Sequence, residues 1–197
     1  KSWVRNAASV LLYRFDEADC YAAQLMRESG GVVACDCDPD EHFDDIMASI
    51  SFIDVFIASE FAYRALFPCG GNAQENCLSI QTKGPCTVIF TLGERGCIGV
   101  GKDGVFFELP AFPVRVVDTN GAGDTFHGAY LYASLCEGKS AREAARFASA
   151  ASAIQCMFLG GRAGLPARAM VEKFLKGGSI DYTPLQERER LYADFPA

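Results

Sequence analysis

The run Val116-Val117-Asp118-Thr119-Asn120-Gly121-Ala122-Gly123-Asp124-Thr125-Phe126 holds the residues best suited to chemistry. It reads as an apolar strand entering a turn of small residues, which then enters a long helix. Small side chains let a ligand approach the backbone, and the first amides of a helix lack intrahelical acceptors. With the helix macrodipole they make an anion site. Asp124 brings a carboxylate to that point. An aspartate at a helix start is also a common N-cap, worth about 1 kcal/mol. Spacing alone therefore leaves two readings for Asp124, a cap and a general base.

Other segments are weaker. Gly99-x-Gly101-x-x-Gly104 spells the dinucleotide fingerprint, but that fingerprint needs a strand before it and a helix after it. Here strand-like segments lie on both sides, so the glycines are read as a hairpin turn and a nicotinamide dehydrogenase is set aside. Arg14, in Leu12-Tyr13-Arg14-Phe15, follows the first strand, at the end where open α/β sheets bind ligands. Its guanidinium reads as a surface cation or as a contact to an anionic or polyhydroxyl substrate. Gly70-Gly71-Asn72 reads as a loop.

The elements that must position these residues alternate. Ala7–Leu12, Val32–Cys35 and Ile53–Ala58 are apolar, strand-like runs. A helix over Glu17–Glu28, with Ala18, Tyr21, Ala22 and Leu25 on one face, a helix-permitting Asp40–Ser49 and a helix near Glu60–Leu66 intervene or follow. Continuous apolar strands separated by helices predict a parallel sheet covered on both faces. Cys86–Thr91, Cys97–Val100 and Val105–Leu109, joined by glycine-containing turns, predict an antiparallel edge. From Gly123 the chain is predicted helical, over roughly Asp124–Cys136, Ala141–Met157 and Pro166–Leu175. Residues 177–197 are polar and charged and are expected to form a loosely held tail, leaving 1–176 as the folded domain.

Composition narrows the classes. The 197 residues are 50% hydrophobic and carry a formal charge of -7. An acidic chain without a basic run is a poor partner for nucleic acid or an anionic membrane. No apolar stretch approaches the ~20 residues of a membrane span. The nine cysteines form no Cys-x-x-Cys pair, so reduced, core-filling thiols in a cytoplasmic protein are expected rather than disulfides or zinc. The chain opens on Lys1 and runs at once into an apolar segment, which reads as a protein entered partway through.

Asp-Thr-x-Gly-Ala-Gly-Asp followed by Thr-Phe resembles the C-terminal signature of the ribokinase-like (PfkB) carbohydrate kinases. Thr91-Leu92-Gly93-Glu94-Arg95-Gly96 is similar to that family's nucleotide-binding turn. Pro110-Ala111-Phe112, Arg146-Phe147-Ala148-Ser149 and Gly160-Gly161-Arg162-Ala163-Gly164-Leu165-Pro166 extend the likeness over about residues 7–176. The resemblance implies a ribokinase-like α/β fold and transfer of the γ-phosphoryl of ATP to a sugar hydroxyl. Asp124 would be the base, and the amides of Gly121, Ala122 and Gly123 the anion hole. Thr91, Gly93, Gly96 and Ser149 would line the nucleotide. Asp118 and Asn120 match a monovalent-cation position, with K⁺ the candidate, although Asn120 stands where Thr is usual. Where many members carry Asn-x-x-Glu for magnesium, this chain has Ser59 and Ala62, and Glu60 reads either as a substitute Mg²⁺ contact or as an exposed helix-start glutamate.

Phe126-His127-Gly128 and the Gly-Gly-Arg-Ala-Gly loop look similar to sulfofructose kinases, and the altered Ser59–Ala62 segment to ketohexokinase-like branches. A ketohexose or its sulfonated derivative is the first expectation, with ribose, fructose or a nucleoside as alternatives and a homodimer left open. The rival reading is a non-catalytic sugar- or nucleotide-binding protein on the same fold. The family's first strands, lid and early Gly-Gly sugar motif would lie before Lys1, so these residues alone are expected to be inactive.

Overall fold

The computed structural model describes residues 2–193. The chain divides into two compact units, residues 1–109 and 110–197.

The first unit is a six-stranded mixed sheet. A single turn of helix, α1 (Ser2–Arg5), precedes β1 (Ser9–Leu12), α2 (Glu17–Glu28), β2 (Val32–Cys37), α3 (Phe43–Ala48), β3 (Val55–Ser59), α4 (Glu60–Leu66), α5 (Ala73–Gln81), β4 (Thr87–Thr91), β5 (Cys97–Val100) and β6 (Phe106–Leu109). The strands lie in sequence order; β1 to β4 are parallel, while β5 and β6 add an antiparallel edge. In-order parallel strands with right-handed crossovers place their connecting helices on one side of the sheet. β3, β4 and β5 are buried at consecutive positions, as uninterrupted apolar runs require. Phe90 makes edge contacts with the rings of Phe56, Tyr63 and Phe67, which tie α4 to the strands.

Local sequence explains the boundaries. Asp16 caps α2 by accepting the Asp19 N–H at 2.9 Å, and Gly30, at φ 74°, turns the chain out of it. The buried face of α2 is Ala23, Leu25 and Met26 rather than one containing Ala18 and Tyr21, which are exposed. α5 was not expected. Asn72 caps it by accepting the Glu75 N–H, but within it only Cys77 and Ile80 are buried, too weak a stripe to stand out. Burial pushes the Cys37 and Cys77 thiols up to about 12, so both are inert core groups. None of the nine cysteines, all of them among the described residues, is in a disulfide.

The second unit is helical. α6 (Ala122–Leu131) continues into one π-helical turn, Tyr132–Cys136, and is followed by α7 (Ala141–Gln155), α8 (Arg168–Leu175) and α9 (Thr183–Ala193). Ser140 and Glu143 form a capping box that starts α7. The alanines 144, 145, 148 and 151 are buried along α7, and such a small-residue face allows the close packing seen between α6 and α7. Glu137 binds Lys139 and, at 2.6 Å, Arg168, fastening the end of α6 to α8.

Two expectations fail here. Val116 and Val117 form no strand; both are more than half exposed, and the chain from 110 to 121 is irregular. The charged segment expected to hang loose folds as α9 with Leu185 buried. The run Gln186–Arg190 hid this, because charge on a helix's outer face carries no core signal. No helix among the described residues is long and apolar enough to cross a membrane.

Candidate active site

Gly121 begins the site. It is the N-cap of α6 at φ 75°, in the left-handed region, and a Cβ there would lie 2.6 Å from the Gly161 carbonyl oxygen. Conformation and close approach both demand glycine at this position. Gly123 is different. It lies within the first turn of α6, and a Cβ there would meet nothing within 4 Å. Packing gives no reason for a residue that weakens a helix by about 1 kcal/mol relative to alanine.

The turn engages some amides and leaves others free. Ala122 donates its N–H to the Thr119 carbonyl at 3.2 Å, and Thr125 donates to Gly121 at 2.9 Å. Among the described residues, the N–H groups of Gly121, Gly123 and Asp124 find no acceptor. Two of the three expected anion-hole amides are thus free, and Asp124 supplies a third.

Asp124 is the third residue of α6. Gly121 occupies the N-cap, and no side chain caps this helix. The capping reading of Asp124 therefore fails, and its exposed carboxylate has no protein partner among the described residues. It borders a cavity of about 630 Å³ lined also by Thr125, Gly128, Tyr132, Phe147 and Arg162. The buried Thr125 hydroxyl has no hydrogen-bond partner among the described residues. His127 is buried, its Nδ1 2.8 Å from the Gly123 carbonyl, so it packs beside the helix start.

Behind the turn lies a cross-brace. Asp118 accepts the Asn120 N–H at 2.9 Å through Oδ1 and the Gly160 N–H at 2.8 Å through Oδ2. These N–H groups, Asn120 first, hold its carboxyl below the usual range. Gln155, wholly buried, donates its Nε2 to the carbonyls of Gly160 at 2.7 Å and Asn120 at 3.4 Å. Ser152 donates its hydroxyl to the Ala122 carbonyl. The Asp118 carboxylate and the Asn120 carbonyl are thus held in place by N–H donors from Asn120, Gly160 and Gln155. Among the described residues, no group of three His, Cys, Asp or Glu side chains is placed to hold a metal. Gln155 and Ser152 were not anticipated; the available signal was polar side chains in a helix otherwise rich in alanine.

The remaining expected residues fall in the first unit, except for Ser149, which is half-buried on α7. Thr91 ends β4, its hydroxyl 3.4 Å from the Ala58 carbonyl. Gly93 and Gly96 adopt φ of 58° and 93° in the turn to β5, where Leu92 N–H donates to Gly96 at 2.7 Å. Ser59 caps α4, and Glu60 follows it. Glu60 binds Arg64 and, at 2.8 Å, Arg95 of the same turn. The Arg95 contact, chiefly, holds its carboxyl below the usual range. Both guanidinium groups meet the same oxygen, Oε1, so Glu60 is an ion-pair partner of the nucleotide turn. Arg14 is exposed, over the Tyr13 ring at 5.2 Å, with no carboxylate partner among the described residues. Phe15 beside it is buried at φ 57°, and Asp19 accepts the N–H groups of both Arg14 and Phe15. Gly99 lies inside β5, where a Cβ would meet the Val88 carbonyl at 2.6 Å, while Gly101 and Gly104 close a hairpin turn. The dinucleotide fingerprint is a hairpin.

The model of the pfkB family carbohydrate kinases matches residues 4–168. The ribokinase of Haemophilus influenzae is 31% identical over 159 residues, covering 79% of this chain and 51% of that protein. The crystal structure of ribokinase from Thermotoga maritima superposes with a TM-score of 0.73 at 30% identity, covering 89% of this chain and 59% of that one. Arabidopsis thaliana ribokinase, solved in complex with ribose and ATP, gives a TM-score of 0.77 at 28% identity, covering 89% and 58%. The chain spans about half the length of the Haemophilus relative.

Proposed function

Because the chain belongs to the pfkB family of carbohydrate kinases, we propose that it carries the phosphoryl-transfer centre of an ATP-dependent sugar kinase. Asp124 is the base. It takes the proton of a sugar hydroxyl while that oxygen attacks the γ-phosphorus of ATP; the bond from that phosphorus to the β–γ bridging oxygen breaks, and ADP leaves. The N–H groups of Gly121, Gly123 and Asp124 receive the negative charge that builds on the transferred group. Ala122, also expected in this hole, holds the turn through Thr119 instead.

One observation carries this reading. An uncommitted carboxylate stands in the same helical turn as free amides, beside a glycine that packing does not require. That combination suits a ligand that is anionic at the amides and protic at the carboxylate. The Arabidopsis ribokinase complex with ribose and ATP supports the pairing of substrates. Thr91, Gly93, Gly96 and Ser149 line the nucleotide in this reading. ATP brings Mg²⁺ as its counter-ion; Glu60 orients Arg95 in the nucleotide turn rather than holding that metal.

The acceptor is a sugar, with a ketohexose or its sulfonated derivative first and ribose, fructose or a nucleoside as alternatives. Arg14 favours an anionic or polyhydroxyl acceptor, because its guanidinium has no carboxylate partner among the described residues. A second reading, a binding protein without turnover, draws on one observation, the engagement of Glu60 by Arg64 and Arg95. ADP production by the natural gene product across a sugar panel separates the two. Sugar-dependent ADP release supports the kinase; binding of sugar and ATP without ADP release supports the rival.

A further inference from the structure

The C-terminal helix α9 grips the loop between α7 and α8. Glu189 accepts the Leu159 N–H at 2.6 Å, and Arg188 donates to the carbonyls of Leu165 at 3.0 Å and Arg162 at 3.3 Å. Leu185 of this helix is buried, and Tyr182, just before the helix, lies against the Phe158 ring at 6.0 Å. Tyr182, Leu185, Arg188 and Glu189 lie beyond the segment 4–168 that matches the family model.

The gripped loop is the one that touches the candidate site. Gly160 donates its N–H to Asp118, and the Gly161 carbonyl abuts Gly121 so closely that no side chain fits between them. A displacement of residues 159–162 is therefore transmitted to the turn from Asp118 to Asp124. Charged groups at both ends make the hold strong, since hydrogen bonds to charged partners exceed neutral ones.

We infer that Arg188 and Glu189 are positioning residues, through which α9 sets the geometry of the turn that carries Asp124 and its free amides. The inference rests on the reading of that turn as the phosphoryl site. Neither side chain touches substrate; both act through the backbone of 159–165.

The test is made in the natural gene product with the double variant Arg188→Ala/Glu189→Ala and the conservative Glu189→Gln, which keeps an acceptor for Leu159. Amide hydrogen exchange is followed over residues 158–166 and 118–124, and turnover is measured with saturating ATP. In the double variant, exchange should rise about tenfold or more in both segments, as expected for loss of charge-assisted bonds. The value of kcat should fall by a similar factor with KM for the sugar nearly unchanged, because the loss is in transition-state alignment. Glu189→Gln should recover most of both effects, which a merely unfolded α9 would not. Unchanged exchange in 158–166 would overturn the grip. A rise there without a rise in 118–124, or with kcat intact, would overturn the positioning role. Exchange needs no turnover, so a failure of the kinase reading leaves the exchange result standing and is recognised separately.

Discussion

Gly121 and Gly161 meet backbone to backbone: a Cβ on Gly121 would lie 2.6 Å from the Gly161 carbonyl oxygen and 2.9 Å from its Cα. Two segments, the start of α6 and the loop after α7, thereby become one unit. Gly123, two residues on, faces open space. The two glycines of Gly-Ala-Gly-Asp have different physical causes, and substitution separates them.

Gly121→Ala should destabilise the fold by roughly 1–3 kcal/mol, from a left-handed φ and a backbone clash. Gly123→Ala should leave the melting temperature equal or slightly higher, since alanine favours the helix. Gly123→Val should lower phosphoryl transfer steeply, because a branched side chain would stand where phosphate meets the amides; losing one such donor costs ~2.7–4 kcal/mol in other enzymes. Thermal melts and kcat on the three variants check this. Normal turnover by Gly123→Val would show that phosphate does not approach there.

The Asp118 brace predicts a pH dependence. Its folded-state carboxyl titrates below its unfolded value because backbone N–H groups favour the anion. Its contribution is therefore fully present above the unfolded carboxylate range, near 3.9, and is lost as the pH falls through the lower folded value. Asp118→Asn should be less stable than the natural protein at neutral pH, and the gap should close below about pH 4. Denaturant melts from pH 7 to acid measure it; a gap that widens in acid would contradict the brace.

Glu60→Gln addresses the nucleotide turn. If Glu60 pairs with Arg95 and Arg64, the variant should keep its dependence on Mg²⁺ concentration and lose at most about 1 kcal/mol of stability. A Mg²⁺ requirement raised about tenfold or more would return the metal role to Glu60.

Much of this molecule was legible in its residues. Buried strands such as Val55–Ser59 and Thr87–Thr91 have uninterrupted apolar centres, Val55 to Ala58 and Val88 to Phe90, and α2, capped by Asp16 and ended by glycine, has the limits its sequence predicts. The Gly121–Asp124 turn was legible as a helix start of small residues, while spacing left Asp124 as a cap or a base and only the resemblance to the kinase signature favoured the base. What escaped depends on tertiary partners. α5 buries too little to show a stripe, and Val116-Val117 is apolar without being a strand. The partners of Asp118, Gln155, Arg188 and Glu189 are backbone groups, which no pattern of side chains announces.

The central claim is that Asp124 is the proton acceptor. Asp124→Asn keeps size and removes the base, and no contact among the described residues depends on the carboxylate. Measured on the natural gene product with saturating ATP and its preferred sugar, kcat should fall at least about a hundredfold, the lower end for general-base catalysis, with ATP affinity little changed. A variant that keeps more than about a third of the natural kcat would contradict the assignment.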